Sequence, residues 1–268
     1  NANFRAGHPT AASAAGCDKV LLVVVRTAAV KGLTVSGVLG PRGALEGALP
    51  GYEVRSGQLT MALAVEQALS QERPLLAEAG TGTGKTFAYL VPAVLSKKRV
   101  VISTATRNLQ DQLFLKDIPL LQEKVGLSFK AAQLKGRANY LCQQRLQLFA
   151  QNPLFASPED ATHWPGLKRW VEKTDTGDRG ETTLPDAWPT WNQLSTHSDG
   201  CSGVRCPYYE SCFVTQARRR AEDVNIVVVN HALFFADLSL RMRGAEAGLS
   251  VIPNYDAVIF DEAHALED

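Results

Sequence analysis

Short apolar runs, each ending in a polar or glycine-bearing turn, recur along the chain and alternate with stretches of helical periodicity. Pro74-Leu75-Leu76-Ala77, Arg99-Val100-Val101-Ile102-Ser103, Asn225 to Val229 and Asp256-Ala257-Val258-Ile259-Phe260 are almost unbroken in their apolar character. Runs of this length and kind read as strands buried on both faces, the pattern of a parallel sheet. Between them, Met61, Leu63, Ala64, Val65, Ala68 and Leu69 recur at helical spacing from Gln58 onward and predict an amphipathic helix. A second helix starts within Phe87-Ala88-Tyr89-Leu90-Val91 and closes at Ser96-Lys97-Lys98. Alternating strand and helix predict an α/β fold with a parallel sheet.

Residues 1–48 read differently. They are rich in Ala, Gly and Val and are left as an unassigned, low-complexity extension. Lys19 to Val25 is either a buried strand or part of that extension, and Cys17 is a lone thiol.

Chemistry enters at Ala79-Gly80-Thr81-Gly82-Thr83-Gly84-Lys85-Thr86, between a predicted strand and a predicted helix. That order is what a phosphate-cradling loop requires. Gly80, Gly82 and Gly84 open backbone angles closed to other residues and let N–H groups approach phosphate oxygens. Lys85 faces the β and γ phosphates, and the Thr86 hydroxyl can ligate magnesium. Ala79 stands where the strict pattern has its first glycine and is small enough to keep the turn tight. Gln58 could read adenine with its amide; spacing alone favours a helix-end polar residue.

Two further strand ends face the same edge in a parallel sheet. Ser103 leads into Thr104-Ala105-Thr106, whose uncharged groups suit sequence-blind contacts to a nucleic-acid backbone, or simply begin a capped helix. Phe260 leads into Asp261-Glu262-Ala263-His264, where the first carboxylate can hold magnesium and the second can orient an attacking water. Lys85 and Asp261 are 176 positions apart, whereas two strand–helix units need roughly 60 to 90. A sizeable insertion is expected between them, over 136–221, flanked by 49–135 and a return segment 222–268.

That interval holds Cys142, Cys201, Cys206 and Cys212, the last three spaced C-x4-C-x5-C. Structural zinc favours paired knuckles, which these spacings do not give. Four thiolates on unequal loops suit an iron-sulfur cluster better, with zinc second and unligated thiols third. All four tryptophans, Trp164, Trp170, Trp188 and Trp191, fall here too. Such rings can stack on unpaired bases, but more often fill a small core. Arg205, Arg218-Arg219-Arg220 and Lys135-Gly136-Arg137 form a local basic patch able to follow a nucleic-acid backbone.

The net charge of +1 restricts any nucleic-acid surface to such local patches. Val20 to Val25, the longest aliphatic run, is too short to span a bilayer. Five cysteines beside a nucleotide loop point to a reducing, cytoplasmic compartment and to ligands or free thiols rather than disulfides. The first residue is Asn and the chain stops soon after Asp261, which suggests a fragment.

From about residue 49 onward the chain resembles a DinG-like helicase, the DinG and YoaA group, in the XPD-type branch of iron-sulfur superfamily 2. The resemblance rests on an ordered set of motifs: Arg55-x-x-Gln58, Glu78 to Thr86, Ser103 to Thr106 with Leu109-Gln-Asp-Gln-Leu113, Gly136-Arg-x-Asn-Tyr-x-Cys142, the three later cysteines, Val229-Asn-His231 and Asp261-Glu-Ala-His264. It implies a RecA-like lobe interrupted by a mostly helical iron-sulfur insertion. By the same resemblance Lys85 and Thr86 bind ATP and Mg2+, Asp261 holds the metal and Glu262 is the hydrolytic base. Cys142, Cys201, Cys206 and Cys212 would ligate a [4Fe-4S] cluster, Thr104 to Thr106 would contact single-stranded DNA, and Gln58 would read adenine. Members of this group move 5′ to 3′ on single strands and open forked DNA and R-loops during repair; nothing in the residues demands more than a monomer. They also need a second lobe with an arginine finger, so the expectation is nucleotide binding without coupled translocation. Two alternatives are a phosphate-loop ATPase that does not unwind and a redox-responsive iron-sulfur module that binds single-stranded DNA.

Overall fold

The computed structural model describes residues 3–5, 20–25, 33–80, 82–243 and 250–266. The chain divides into two compact units, one formed by residues 1–133 and 223–268 and the other by 134–222. Thr81 and Cys17 lie outside the described residues.

The first unit is built on a seven-stranded sheet ordered β1-β3-β2-β7-β4-β6-β5. Its strands are β1 (Asn3–Arg5), β2 (Val20–Val25), β3 (Leu75–Glu78), β4 (Val100–Thr104), β5 (Ala131–Gln133), β6 (Ile226–Asn230) and β7 (Ala257–Phe260). Strands β7, β4, β6 and β5 pair in parallel, in the register Val100 with Ile226 and Ala257. The sheet is not parallel throughout. β2 lies antiparallel between β3 and β7, and β1 pairs antiparallel with β3. Because β2 opposes both its neighbours, β3 still points the same way as the parallel four. The carboxyl ends of β3, β4 and β7 therefore open on one edge.

Helices α1 (Val35–Leu39), α2 (Ala44–Ala48), α3 (Ser56–Gln71), α4 (Lys85–Leu95), α5 (Arg107–Gln112), α6 (Ile118–Glu123) and, after the return, α12 (His231–Arg243) complete this unit. A π-helical turn, Leu113–Asp117, joins α5 to α6. α3 buries Gln58, Met61, Ala62, Val65, Ala68 and Leu69. Leu63, expected on that face, is 41% exposed, one step off the stripe. The C-terminal end of α3 is closed by the buried Lys98, whose Nζ donates to the Leu69 carbonyl at 2.8 Å. A cation there complements the negative end of the helix. The stretch read as an unassigned extension supplies β1 and β2 to the sheet and, from residue 33, two helices. Thr34 caps α1 by accepting from the Gly37 N–H, and Val35, Val38, Leu39 and Leu45 enter the hydrophobic core.

At the amino edge, Arg99 gathers three strands. Its backbone N–H donates to Asp256 Oδ2, Nε to the Val224 carbonyl and Nη1 to the Asn254 carbonyl.

The second unit is largely helical: α7 (Gln143–Gln151), α8 (Pro158–Thr162), α9 (Trp164–Val171), α10 (Trp191–Leu194) and α11 (Phe213–Glu222), joined by short 3-10 turns. Its tryptophans form a small core. Trp188 and Trp191 are buried, their indole N–H groups donating to the carbonyls of Asp160 and Ala138, and Trp164 packs edge-on against Phe149 and Phe155. Lys135, expected in a basic patch, is buried in a 2.6 Å ion pair with Asp178. Among the described residues no helix is long and apolar enough to cross a membrane.

Replacing Leu39 by Ala removes a side chain that is 1% exposed. The expected cost is about 2 to 5 kcal/mol, read as a lower urea midpoint. The same change at the 55% exposed Leu33 leaves the midpoint nearly unmoved.

Candidate active site

The chain turns out of β3 through the glycine loop and directly into α4. Gly82 and Gly84 take φ of 77° and 78°, angles that side chains resist. A Cβ on Gly84 would also lie 2.1 Å from Gln58 Nε2. The loop is held from outside by the segment before α3. Gln58 Nε2 donates to the Gly84 carbonyl at 2.9 Å, the Tyr52 hydroxyl donates to Gln58 Oε1, and Arg55 Nη1 donates to the Gly82 carbonyl. Gln58 is buried with its amide committed to the loop, so its position is that of a strap on the phosphate cradle. Thr83 Oγ1 donates to the Gly80 carbonyl, and Lys85 Nζ lies over the loop at 3.2 Å from the Ala79 carbonyl.

Tyr89, one turn along α4 from Lys85, ties this loop to the far end of the chain. Its hydroxyl donates to Asp261 Oδ2 at 3.0 Å, with the Thr86 side chain close by. Burial foremost, and the Asp261 charge second, push its pKa well above the ordinary phenol value. It therefore stays a donor at neutral pH. The two groups expected to hold magnesium, the Thr86 hydroxyl and the Asp261 carboxylate, are thus both near one phenol. Asp261 is further fixed through its backbone N–H, which donates to the Ser103 carbonyl at 2.8 Å. Glu262 follows in a left-handed conformation, φ 60°, with His264 Nδ1 3.6 Å from its Oε2.

Sequence reasoning missed two members of this neighbourhood. Tyr89 had a signal, since positions 85 and 89 share one helix face. Asp117 had none, because the π-helical turn that carries it breaks the helical period. Burial raises the Asp117 carboxyl to about 6, with Lys116 opposing and Asp261 adding to the rise.

The expected DNA contacts divide by exposure. Thr104 is fully buried, its hydroxyl donating to the carbonyls of Thr106 and Val229. Ala105 is half-buried. Thr106 is exposed but caps α5 by accepting from the Leu109 N–H. Arg107 and Asn108, just beyond, are exposed as well.

In the second unit Cys142, Cys201, Cys206 and Cys212 are all half-buried and unbridged. Burial pushes the Cys142 thiol up, and nearby Cys212 and Cys206 add to that rise. Arg218 faces Arg137 and also lies near Cys201 and Cys212. The four cysteines therefore converge on one neighbourhood. They do not close into a ligand shell: among the described residues no three His, Cys, Asp or Glu side chains form a metal-holding group. Cys206 Sγ instead donates to Gln144 Oε1 at 3.6 Å.

With loop, lysine, threonine and carboxylates on one sheet edge, comparison with known proteins gives the class. Residues 61–168 match the DEAD/DEAH box helicase family. The matched stretch is a helicase domain, α/β and RecA-like, and such a domain implies ATP and Mg2+. More narrowly, the chain is homologous to the YoaA and DinG helicases. It is 41% identical over 235 residues to the ATP-dependent DNA helicase YoaA of Haemophilus influenzae, covering 87% of this chain and 36% of that protein. It is 42% identical over 229 residues to YoaA of Escherichia coli, covering 85% and 36%, and 36% identical over 239 residues to the ATP-dependent helicase DinG of Mycobacterium tuberculosis, covering 80% and 34%. The chain therefore spans about a third of the length of these relatives.

The raised Asp117 carboxyl sets a pH dependence. Its pKa is about 6 in the fold against an ordinary 3.8, so the folded state binds the proton more tightly. Its effect is to make stability fall as pH rises through that window and level off above it. Asp117→Asn removes this slope. In urea titrations across the window, the variant gains on the wild type with rising pH and is the more stable above it.

Proposed function

We infer that this chain is the ATP-binding lobe of an ATP-dependent DNA helicase, acting 5′ to 3′ on single-stranded or forked DNA and on R-loops in repair. The observation that carries the reading is the hydrogen bond from Tyr89, on the helix that follows the phosphate loop, to Asp261 at the end of β7. Lys85 and the loop N–H groups bind the triphosphate, and the N-terminus of α4 favours its charge. Thr86 and Asp261 would hold Mg2+, which when bound would supply charge neutralisation at the phosphates. Glu262 orients the attacking water and takes its proton as the new bond to the γ phosphorus forms, while the bond from that phosphorus to the β–γ bridging oxygen breaks and ADP leaves. The strap from Tyr52 to Gln58 positions the loop. The tip of β4, from Thr104 to Arg107, lies on the same edge and contacts the DNA backbone, chiefly through the exposed Thr106 and its neighbours. Such a lobe works as a monomer in the bacterial cytoplasm, and unwinding belongs to the intact protein.

The cysteines fit a [4Fe-4S] cluster by donor type: four half-buried thiols, with Arg218 near Cys201 and Cys212 to offset thiolate charge. When bound, the group would cross-link Cys142, Cys201, Cys206 and Cys212 and stiffen the second unit. That requirement separates the helicase from a phosphate-loop ATPase that does not unwind, which needs no such set.

Lys85→Ala is expected to weaken binding of a fluorescent ATP analogue by about tenfold or more, one or two charge-assisted hydrogen bonds, without lowering the unfolding midpoint. Retained affinity would overturn the assignment of the loop. Anaerobic preparations of the wild type should hold iron and acid-labile sulfide in near-equal amounts, with broad visible absorption that Cys206→Ser loses. Zinc alone, or no metal with an unchanged fold, would leave the simpler ATPase.

A further inference from the structure

His231 begins α12 immediately after β6 and is buried beneath the edge that carries the nucleotide groups. Its Nδ1 makes a 2.7 Å hydrogen bond with Ser103 Oγ. Nε2 is buried and completes no hydrogen bond at ordinary geometry. The ring also lies against the backbone carbonyls of Glu262 and Asp261, and its face packs near Phe260. These surroundings select the tautomer. Carbonyl oxygens present lone pairs, so the nitrogen toward them must carry the proton, leaving Nδ1 to accept from the Ser103 hydroxyl.

Ser103 has a second attachment to the same turn, since its carbonyl accepts the Asp261 N–H at 2.8 Å. One residue on, Thr104 is fixed to Val229 at the end of β6, and the next two lead out to the exposed tip of β4. A chain of contacts therefore runs from that tip through Ser103 and the His231 ring to the Asp261-Glu262 turn. The turn is held in a left-handed conformation at Glu262, a state that other side chains rarely occupy and that persists only where its surroundings enforce it. A buried donor short of a full hydrogen bond, facing a strained turn, has two arrangements available. A small shift of β4 toward the turn completes the bond, and a shift away leaves it open.

We propose that His231 is a positioning residue that couples the tip of β4 to Glu262, setting the hydrolytic carboxylate when DNA occupies that tip. The proposal rests on the helicase reading and goes beyond it by assigning the link between its two sites. His231 touches neither nucleotide nor DNA. Its effect is on the coupling between sites, a quantity distinct from either affinity.

The test is DNA-stimulated ATP hydrolysis by the intact protein, comparing wild type with His231→Phe, His231→Gln and Ser103→Ala, alongside ssDNA binding by fluorescence anisotropy and the thermal midpoint. His231→Phe should lower the ssDNA stimulation of kcat by about fivefold or more, while KM for ATP, unstimulated kcat and ssDNA affinity stay within about twofold. His231→Gln, which keeps an N–H donor near the Nε2 position, should restore part of the stimulation. Ser103→Ala should reduce it without adding to the effect of His231→Phe in the double variant. Stimulation unchanged in His231→Phe overturns the proposal, as does an equal loss of stimulated and unstimulated rates with a lowered midpoint, which marks a merely structural residue. A wild type that binds no ssDNA overturns the helicase reading and the proposal with it. A wild type that binds ssDNA without any stimulation overturns the coupling alone.

Discussion

The hydrogen bond from Tyr89 to Asp261 joins residues 172 positions apart and ties the helix after the phosphate loop to the acidic turn. Asp261 is buried, so its carboxylate must find donors within the protein. A buried hydrogen bond to a charged group contributes about 1.5 to 3 kcal/mol, and its loss would leave the carboxylate short of a partner. The Thr86 side chain lies close to the same phenol, so one residue of α4 stands between both ends of the site. Everything on that edge is then set by where β3, β4 and β7 end.

The opposite edge is governed by a cation. Arg99 fastens the segments leading into β6 and β7 to the start of its own strand, and Lys98 beside it closes α3. Rigid registration at the amino edge leaves the carboxyl edge free to be built from loops, the division of labour that lets α/β proteins carry sites there. In this chain even those loops are tied. The phosphate cradle is strapped by Tyr52, Arg55 and Gln58, and the acidic turn is pinned by Ser103.

What the sequence revealed is what depends on short range. The glycine loop, the apolar strand runs and the Asp261-Glu262 pair are local patterns fixed by backbone angles and burial, and each lies where its pattern places it. Contacts across the fold were hidden. Tyr89 read as one more core residue of a helix, and Asp117 fell on a turn with no recognisable period. The Ala- and Gly-rich composition before residue 49 masked α1 and α2, although Thr34 supplies an ordinary cap and Val35, Val38 and Leu39 an ordinary apolar face. β2 ran against the expectation of an all-parallel sheet, because strand direction is set by what precedes and follows a strand rather than by its apolar residues. Thr104 looked like a surface hydroxyl at a strand tip and is instead buried against Val229. The insertion was visible from chain length and cysteine spacing, but no spacing rule fixes whether four thiols on separate turns close into one shell.

The place where the second unit is inserted has its own consequence. The chain leaves the sheet after β5 and comes back as β6, its direct parallel neighbour, with Ala131 opposite Ile226. Parallel neighbours cannot be joined by a tight turn: the connection must travel back along the full length of the strands, which takes about a dozen residues or more. The cysteine-bearing unit is therefore the crossover itself, not an ornament hung on a hairpin. A protein engineer could replace it with a plain helix of adequate reach, but could not simply cut it out. Selection meets the same rule: this segment is free to change its contents, and it is not free to disappear.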